Sequence, residues 1–290
     1  MKSRGLFLTI LSAIIFGITP IMAKMTYAYG NNGITLAFLR HFLVIPVLYI
    51  IIKLQKHSLK ITKTQLLNII KVGIFGSALT VLTLYTSYSY ISVGSATVLH
   101  FLYPMFVSLI MFLFFKEKLS KTNRICLGMA TIGIVFFIEP GGSSMIGFGL
   151  ALVSAITFAY YIIGIDRLWL NEISSYVLNF YLCIIVSLFI GVIGFFNGSL
   201  AVNLPVSIYG YCFIIAVLTS VIGIICLQKG IQYLGSTTAS ILSMFEPTIS
   251  VIVGVIILHE QLNNMKIIGC IVILCAITLI VVNNARKKDA

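Results

Sequence analysis

The sequence predicts an all-α membrane protein: ten transmembrane helices in two inverted five-helix repeats, both termini cytoplasmic. Three observations carry this. The 290 residues are 60% hydrophobic and only 9% charged, with a mean hydropathy of +1.11. A water-soluble domain of this length needs far more charged surface. The apolar residues form continuous runs of about 20, the length of a helix crossing a bilayer, not the alternating stretches of about 10 that build membrane β-barrels. Finally, 16 of the 19 Lys and Arg residues fall in alternate gaps between the runs or at the span ends beside them. That is a positive-inside bias, and it accounts for the net charge of +12 without nucleic acid.

In order, the spans cover residues 5–23, 33–52, 66–88, 93–115, 122–139, 146–165, 175–196, 207–228, 236–258 and 264–283. Lys2 and Arg4 ahead of the first run resemble a signal-peptide start. Ile21-Met22-Ala23-Lys24 is a poor cleavage site, so the run is read as a retained first span. The second gap holds Lys53, Lys56, Lys60 and Lys63. The third gap is so short that spans three and four form a tight hairpin. Lys116, Lys118, Lys121 and Arg124 mark the fourth gap, and Arg286, Lys287 and Lys288 the tail. The opposite side holds only Lys24 and Lys266, with Arg40 inside span two. Glu139-Pro140-Gly141-Gly142-Ser143-Ser144 is the one run that reads as a linker. It divides the chain into a first repeat, 1–139, a linker, 140–145, and a second repeat, 146–290.

The halves resemble each other. Tyr90 to Leu119 aligns without a gap on Tyr233 to Leu262 at an offset of 143, with Ala96/Ala239, Leu99/Leu242, Pro104/Pro247 and Glu117/Glu260 identical. Pro and Glu recur 13 residues apart in both. A second match, Leu11 to Gly17 on Val153 to Ala159, supports duplication. Five spans per half place the second half upside down. In transporters such inverted repeats set a substrate site near the bilayer midplane and rock against each other.

The segments Lys116-Glu117-Lys118-Leu119-Ser120 and His259-Glu260-Gln261-Leu262 each begin 12 residues beyond a proline. With Phe16-Gly17, Ala23-Lys24 and Arg40, they make the chain resemble the EamA family of the drug/metabolite transporter superfamily. That family usually shows Trp-Gly where Phe16-Gly17 stands here. The resemblance implies ten helices in inverted repeats, a central cavity, and transport of small metabolites, mostly by export, with no one substrate indicated.

Glu246 lies mid-span in 236–258, where an ionised carboxylate costs several kcal/mol and seeks an interior or a partner. Pro247 follows it and invites a kink. Ala239, Ser243, Glu246, Ser250 and Gly254 share one helical face, suited to line a gap or meet another helix closely. The repeat maps Ser243 onto His100 and Glu246 onto Tyr103. The expectation is therefore that Glu246 and Tyr103 face each other at similar depth and border the largest internal cavity. Glu246 is read as counter-ion for a cationic substrate or as proton carrier, the alternative being a structural acid satisfied by a hydroxyl or by Arg40. His100 shares the proton or binds substrate, or is simply a satisfied polar group. Tyr103 offers a ring for cation–π contact and a hydroxyl, or packs as an ordinary aromatic. Ser243, Tyr161 and Thr83 are further candidate lining residues, from hydroxyl stripes that also serve as helix-packing glue. Arg40 is assigned gating or structure near the outer leaflet, with a substrate carboxylate as the sharper alternative. Pro104, Pro247, Glu117 and Glu260 are gating or structural.

These readings converge on a secondary active transporter of a small metabolite (amino acid, amine or similar) across the bacterial inner membrane, by export and alternating access. The alternatives are import of a small organic cation such as a quaternary ammonium compound, or flipping of a lipid carrier. Expected partners are a small-molecule substrate, protons and the bilayer, the chain being a monomer or homodimer. The six cysteines lack CxxC spacing, and neither a metal cluster nor a nucleotide motif nor a Ser-His-Asp set is evident. The chain thus reads as no enzyme, with neither cofactor nor metal.

Overall fold

The computed structural model is helical throughout and describes residues 2–87, 89–91, 93–136, 144–258 and 264–289. α1 (Lys2–Tyr27) runs unbroken across Pro20. The second span is two helices, α2 (Gly33–Phe42) and α3 (Ile45–Leu54). The third joins α4 (Lys63–Lys71), a π-helical segment over Val72–Ala78, and α5 (Leu79–Ser87). α6 (Val93–His100) and α7 (Tyr103–Phe115) make the fourth, and α8 (Lys121–Val135) follows. Then come α9 (Met145–Arg167), α10 (Ser175–Phe196) and α11 (Val206–Ala216). A second π segment, Val217–Gly223, leads into α12 (Ile224–Leu234). After these stand α13 (Ser236–Ser243), α14 (Glu246–Leu258) and α15 (Asn264–Asp289).

Among the described residues, eight helical stretches are long and apolar enough to cross a membrane. The other two expected spans correspond to α8, of 15 residues, and to α15, whose shorter apolar stretch is Ile267–Leu279. α8 and α15 pack against each other. Most of the expected linker 140–145 and the candidate Glu260 lie outside the described residues.

Prolines decide where the rods break. Spans 33–52, 93–115 and 236–258 read as continuous, yet each divides two or three residues ahead of Pro46, Pro104 or Pro247. Each proline lacks the N–H that would bond the carbonyl four residues back, and its ring clashes with that carbonyl. The breaks at Phe101-Leu102 and Met244-Phe245 lie 143 residues apart (101 to 244), and the π segments begin 145 apart (72 to 217).

Packing has the same two-sided pattern. α1 lies against α12, α13 and α14, while α9 lies against the first π segment, α5, α6 and α7. The contacts are close because small residues permit them. A Cβ at Gly17 would meet the Glu246 carbonyl oxygen and Ile249 Cβ at 2.7 Å, and one at Gly76 would meet the Tyr161 backbone at 2.9 Å. Outward, Leu109, Phe112, Leu113 and Phe114 of α7 and Phe195 and Phe196 of α10 stand exposed. Such surface suits hydrocarbon, because a helix satisfies its own backbone bonds and these outward side chains are apolar.

Candidate functional site

The break before Pro247 places Glu246 in the first turn of α14 and Ser243 at the end of α13. The matching break before Pro104 puts Tyr103 at the head of α7 and His100 at the end of α6. Tyr103 is buried, in contact with the Ser243 hydroxyl and within electrostatic reach of the Glu246 carboxylate. Since Ser243 Oγ donates to the Ala239 carbonyl at 3.0 Å, it remains an acceptor for the Tyr103 phenol.

Arg40 of α2 completes the charge pattern. Its guanidinium acts electrostatically on Glu246, on Tyr161 of α9 and on Cys183 of α10. Its Nε is buried with no protein partner. Its charge thus reaches residues of the second half of the chain. Tyr161 accepts a hydrogen bond from Gln228 Nε2 of α12 at 3.3 Å, and the fully buried Gln228 leaves its Oε1 unpaired.

An aromatic wall flanks the cluster. Tyr103 and Phe158 meet edge to face with centroids 4.7 Å apart, and Phe158 stacks on Tyr161 at 5.6 Å. The His100 ring lies 5.6 Å from Tyr103 and 5.3 Å from Phe158. Its Nδ1 is 3.0 Å from Ser154 Oγ. Because Ser154 donates to the Ala151 carbonyl at 2.6 Å, the proton in the His100–Ser154 bond belongs to Nδ1.

Thr83 and Glu117 make contacts of their own, the latter of the inter-helix kind that a structural role implies. Thr83 turns its hydroxyl back to the Leu79 carbonyl at 2.8 Å, satisfied on its own helix. Glu117 sits at the far end of α7, where it pairs with Arg167 and accepts from Thr237 Oγ1 at 3.4 Å. Asp166 joins that group by accepting from the Ser236 backbone N–H at 3.1 Å. These bonds tie the ends of α7, α9 and α13 together.

Two hollows of about 370 Å³ lie away from this cluster: an apolar groove lined by Phe38, Phe42, Gly191, Phe195 and others, and a basic hollow at Lys121 and Arg124.

Sequence reasoning missed three members of the cluster: Gln228, Phe158 and Cys183. Signals for two existed. Gln228 is the sole amide in the eighth span, and Cys183 is the counterpart of Arg40 at the repeat offset of 143 (40 + 143). Among the described residues no group of His, Cys, Asp and Glu could hold a metal. The region combines a cation, a carboxylate and aromatic faces.

Comparison with known proteins finds transporters. The chain is 26% identical to an uncharacterized transporter of Clostridium kluyveri, over 99% of this chain and 96% of that one. It is 24% identical to the uncharacterized transporter YcbK of Bacillus subtilis, over 92% and 89%. One solved crystal structure superposes with a TM-score of 0.83 over 100% of both chains at 15% identity, a likeness of fold alone. The inner-membrane, multi-pass placement expected from the sequence accords with these bacterial relatives. The EamA-like transporter family model matches residues 3–138 and again residues 145–282. Matched along nearly its whole length, the chain belongs to the EamA-like transporter family, and it is a transporter rather than an enzyme.

Proposed function

We propose that this protein is a secondary active transporter that exports a small metabolite bearing a basic nitrogen, an amino acid, amine or similar compound, across the bacterial inner membrane. Two inverted five-helix halves, 1–139 and 146–290, alternate in exposing a site between them, with both termini in the cytoplasm. Ten spans follow if α8 and α15 cross as the fifth helix of each half. In support, the proline breaks and π segments recur at the repeat offset, and the first helix of each half packs on the third and fourth helices of the other. The observation that carries the function is Glu246, a carboxylate in the interior of a membrane protein, within electrostatic reach of Arg40 and of Tyr103. A mid-membrane carboxylate is tolerable when compensated or protonated. Glu246 therefore serves as the switch: a proton or the substrate's cationic nitrogen occupies it, never both. The close-packed rings form the closed state that rocking of the halves must open.

The apolar groove at Phe38 and Phe195 shares no lining residue with this cluster. It gives a lipid-carrier headgroup no path to Glu246, so flipping is not adopted.

The test is uptake into proteoliposomes of labelled amines and amino acids, with and without a pH gradient, for wild type and Glu246→Gln. Gradient-driven transport by wild type and its loss in a folded Gln variant are expected. Binding of the transported amine should weaken from pH 8 to pH 5 in wild type, since the protonated carboxyl no longer offers a counter-ion, and stay flat in the variant. An unchanged variant with an unchanged pH profile would leave Glu246 a purely structural residue.

A further inference from the structure

One carboxylate beyond the end of α7 holds three helices. Lys116, at a φ of +54°, turns the chain out of α7, and the Glu117 N–H bonds back to the Met111 carbonyl at 3.1 Å. This turn carries Glu117 to its partners. Its Oε2 pairs with the Arg167 guanidinium at the end of α9, and its Oε1 accepts from Thr237 Oγ1, at the start of α13, at 3.4 Å. Asp166, 3.5 Å from Arg167 Nε, accepts from the Ser236 N–H at 3.1 Å, where the positive end of α13 favours a carboxylate. Glu117 comes from the first half of the chain and its partners from the second. Both ion pairs found among the described residues lie here.

The tied helices are the ones that carry Tyr103, Tyr161 with Phe158, and Ser243. The tie lies at the end of α7 away from Tyr103 and at the end of α13 away from Ser243. The basic gap with Lys116, Lys118 and Lys121 marks that end as cytoplasmic. At the opposite end the two halves meet through uncharged groups. Asn32 Nδ2 donates to the Ser199 carbonyl at 2.8 Å, and the Ala201 N–H donates to Thr35 Oγ1 at 2.8 Å. Both ends are thus joined, so opening either one must break its own bonds while the other set holds.

Exposure suits the ion pair to opening. The side chains of Glu117 and Arg167 are 38% and 37% exposed. A fully buried pair leaves uncompensated charges when it breaks, and a fully exposed one holds little. A pair between these limits holds when closed and is taken up by water when it parts.

We propose that Glu117, Arg167 and Thr237 form a latch that keeps the cytoplasmic ends of α7, α9 and α13 together, and that its release opens the protein to the cytoplasm at the expense of outward opening. The proposal rests on the transport reading above and names the side chains that govern one of its two openings.

The test is hydrogen–deuterium exchange of the full-length protein in lipid nanodiscs. Glu117→Gln should speed exchange at 116–120 and 236–238 about two- to fivefold, the worth of one partly exposed ion pair. It should also slow exchange at 199–201, because population gained by one open state is lost by the other. Glu117→Arg, which sets two cations together, should exceed it, and Glu117→Arg combined with Arg167→Glu should return both ends toward wild type. Raising salt from about 0.05 M to about 1 M screens the pair, so wild type should shift as the Gln variant does, while that variant stays indifferent. Faster exchange at the cytoplasmic segments with 199–201 unchanged would make the cluster a structural tie and overturn the latch. A Glu117→Gln variant that exchanges like wild type overturns it equally. Should the variants fail to fold, the salt response of wild type decides, and the absence of opposed shifts at the two ends overturns the latch. Proteoliposome uptake by wild type separates the two readings. Opposed shifts that fail while uptake is intact remove only the latch, whereas absence of uptake for every probe removes the transport reading and the latch with it.

Discussion

Glu246 shows how much one side chain depends on its neighbours. On the sequence it is a carboxylate in a span of apolar residues, in need of a partner such as a neighbouring hydroxyl or Arg40. Arg40, about 200 residues away in the chain, lies within its electrostatic reach, and the helix that carries Glu246, α14, packs closely on α1. Gly17 is the residue that permits this. Any Cβ there would fall 2.7 Å from both the Glu246 carbonyl oxygen and Ile249 Cβ, atoms that can yield only if α14 moves. Gly17→Ala is expected to cost about 1–3 kcal/mol of stability, the usual range for overpacking. It should also lower transport, because the shift displaces the first turn of α14. Gly128→Ala is the control, since nothing lies within 4 Å of its Cβ. Thermal unfolding of both variants checks the contrast, and equal melting temperatures would count against close packing at Gly17.

Discontinuity is the theme among the elements. The hydropathy pattern reads 93–115 and 236–258 as plain spans because it weighs side chains and is blind to a missing N–H. Proline makes the difference: the carbonyls of His100 and Ser243 lose their partners at positions 104 and 247, and the chain turns there. The turn sets Tyr103 and Glu246 at the heads of new helices. Replacing Pro104 or Pro247 with Ala restores the bond. Since proline costs about 3 kcal/mol relative to alanine inside a helix, each variant should be as stable as wild type or more so. Transport should nevertheless slow, because a continuous rod removes a hinge that rocking requires. A variant that is both more stable and fully active would show that the breaks are ornaments of the fold. The π segments carry no sequence signature of comparable clarity. Their cause lies in tertiary contacts: Asn179 of α10 donates to the Ser220 carbonyl inside the second, and Gly76 in the first packs on the Tyr161 backbone.

At the scale of the whole molecule, charge and duplication jointly govern orientation. Reporter fusions within 53–65 and 116–124 are expected to signal cytoplasm, and fusions within 139–145 and 197–206 the outside. A cytoplasmic signal from 139–145 would break the ten-span count and the inverted repeat together, since five spans per half is what turns the second half over. The amino-acid sequence by itself determined the helical membrane class, the family, and the candidates Glu246, Tyr103 and Ser243. Hydropathy, span length and proline spacing are local properties that survive without knowledge of contacts. Only the tertiary structure brought Gln228 and Phe158 to Tyr161 and turned the Thr83 hydroxyl back onto its own helix. Partner choice inside a membrane depends on which helices cross beside one another and at what depth. That is fixed by small-residue contacts between distant segments, and no pattern along a single span records it.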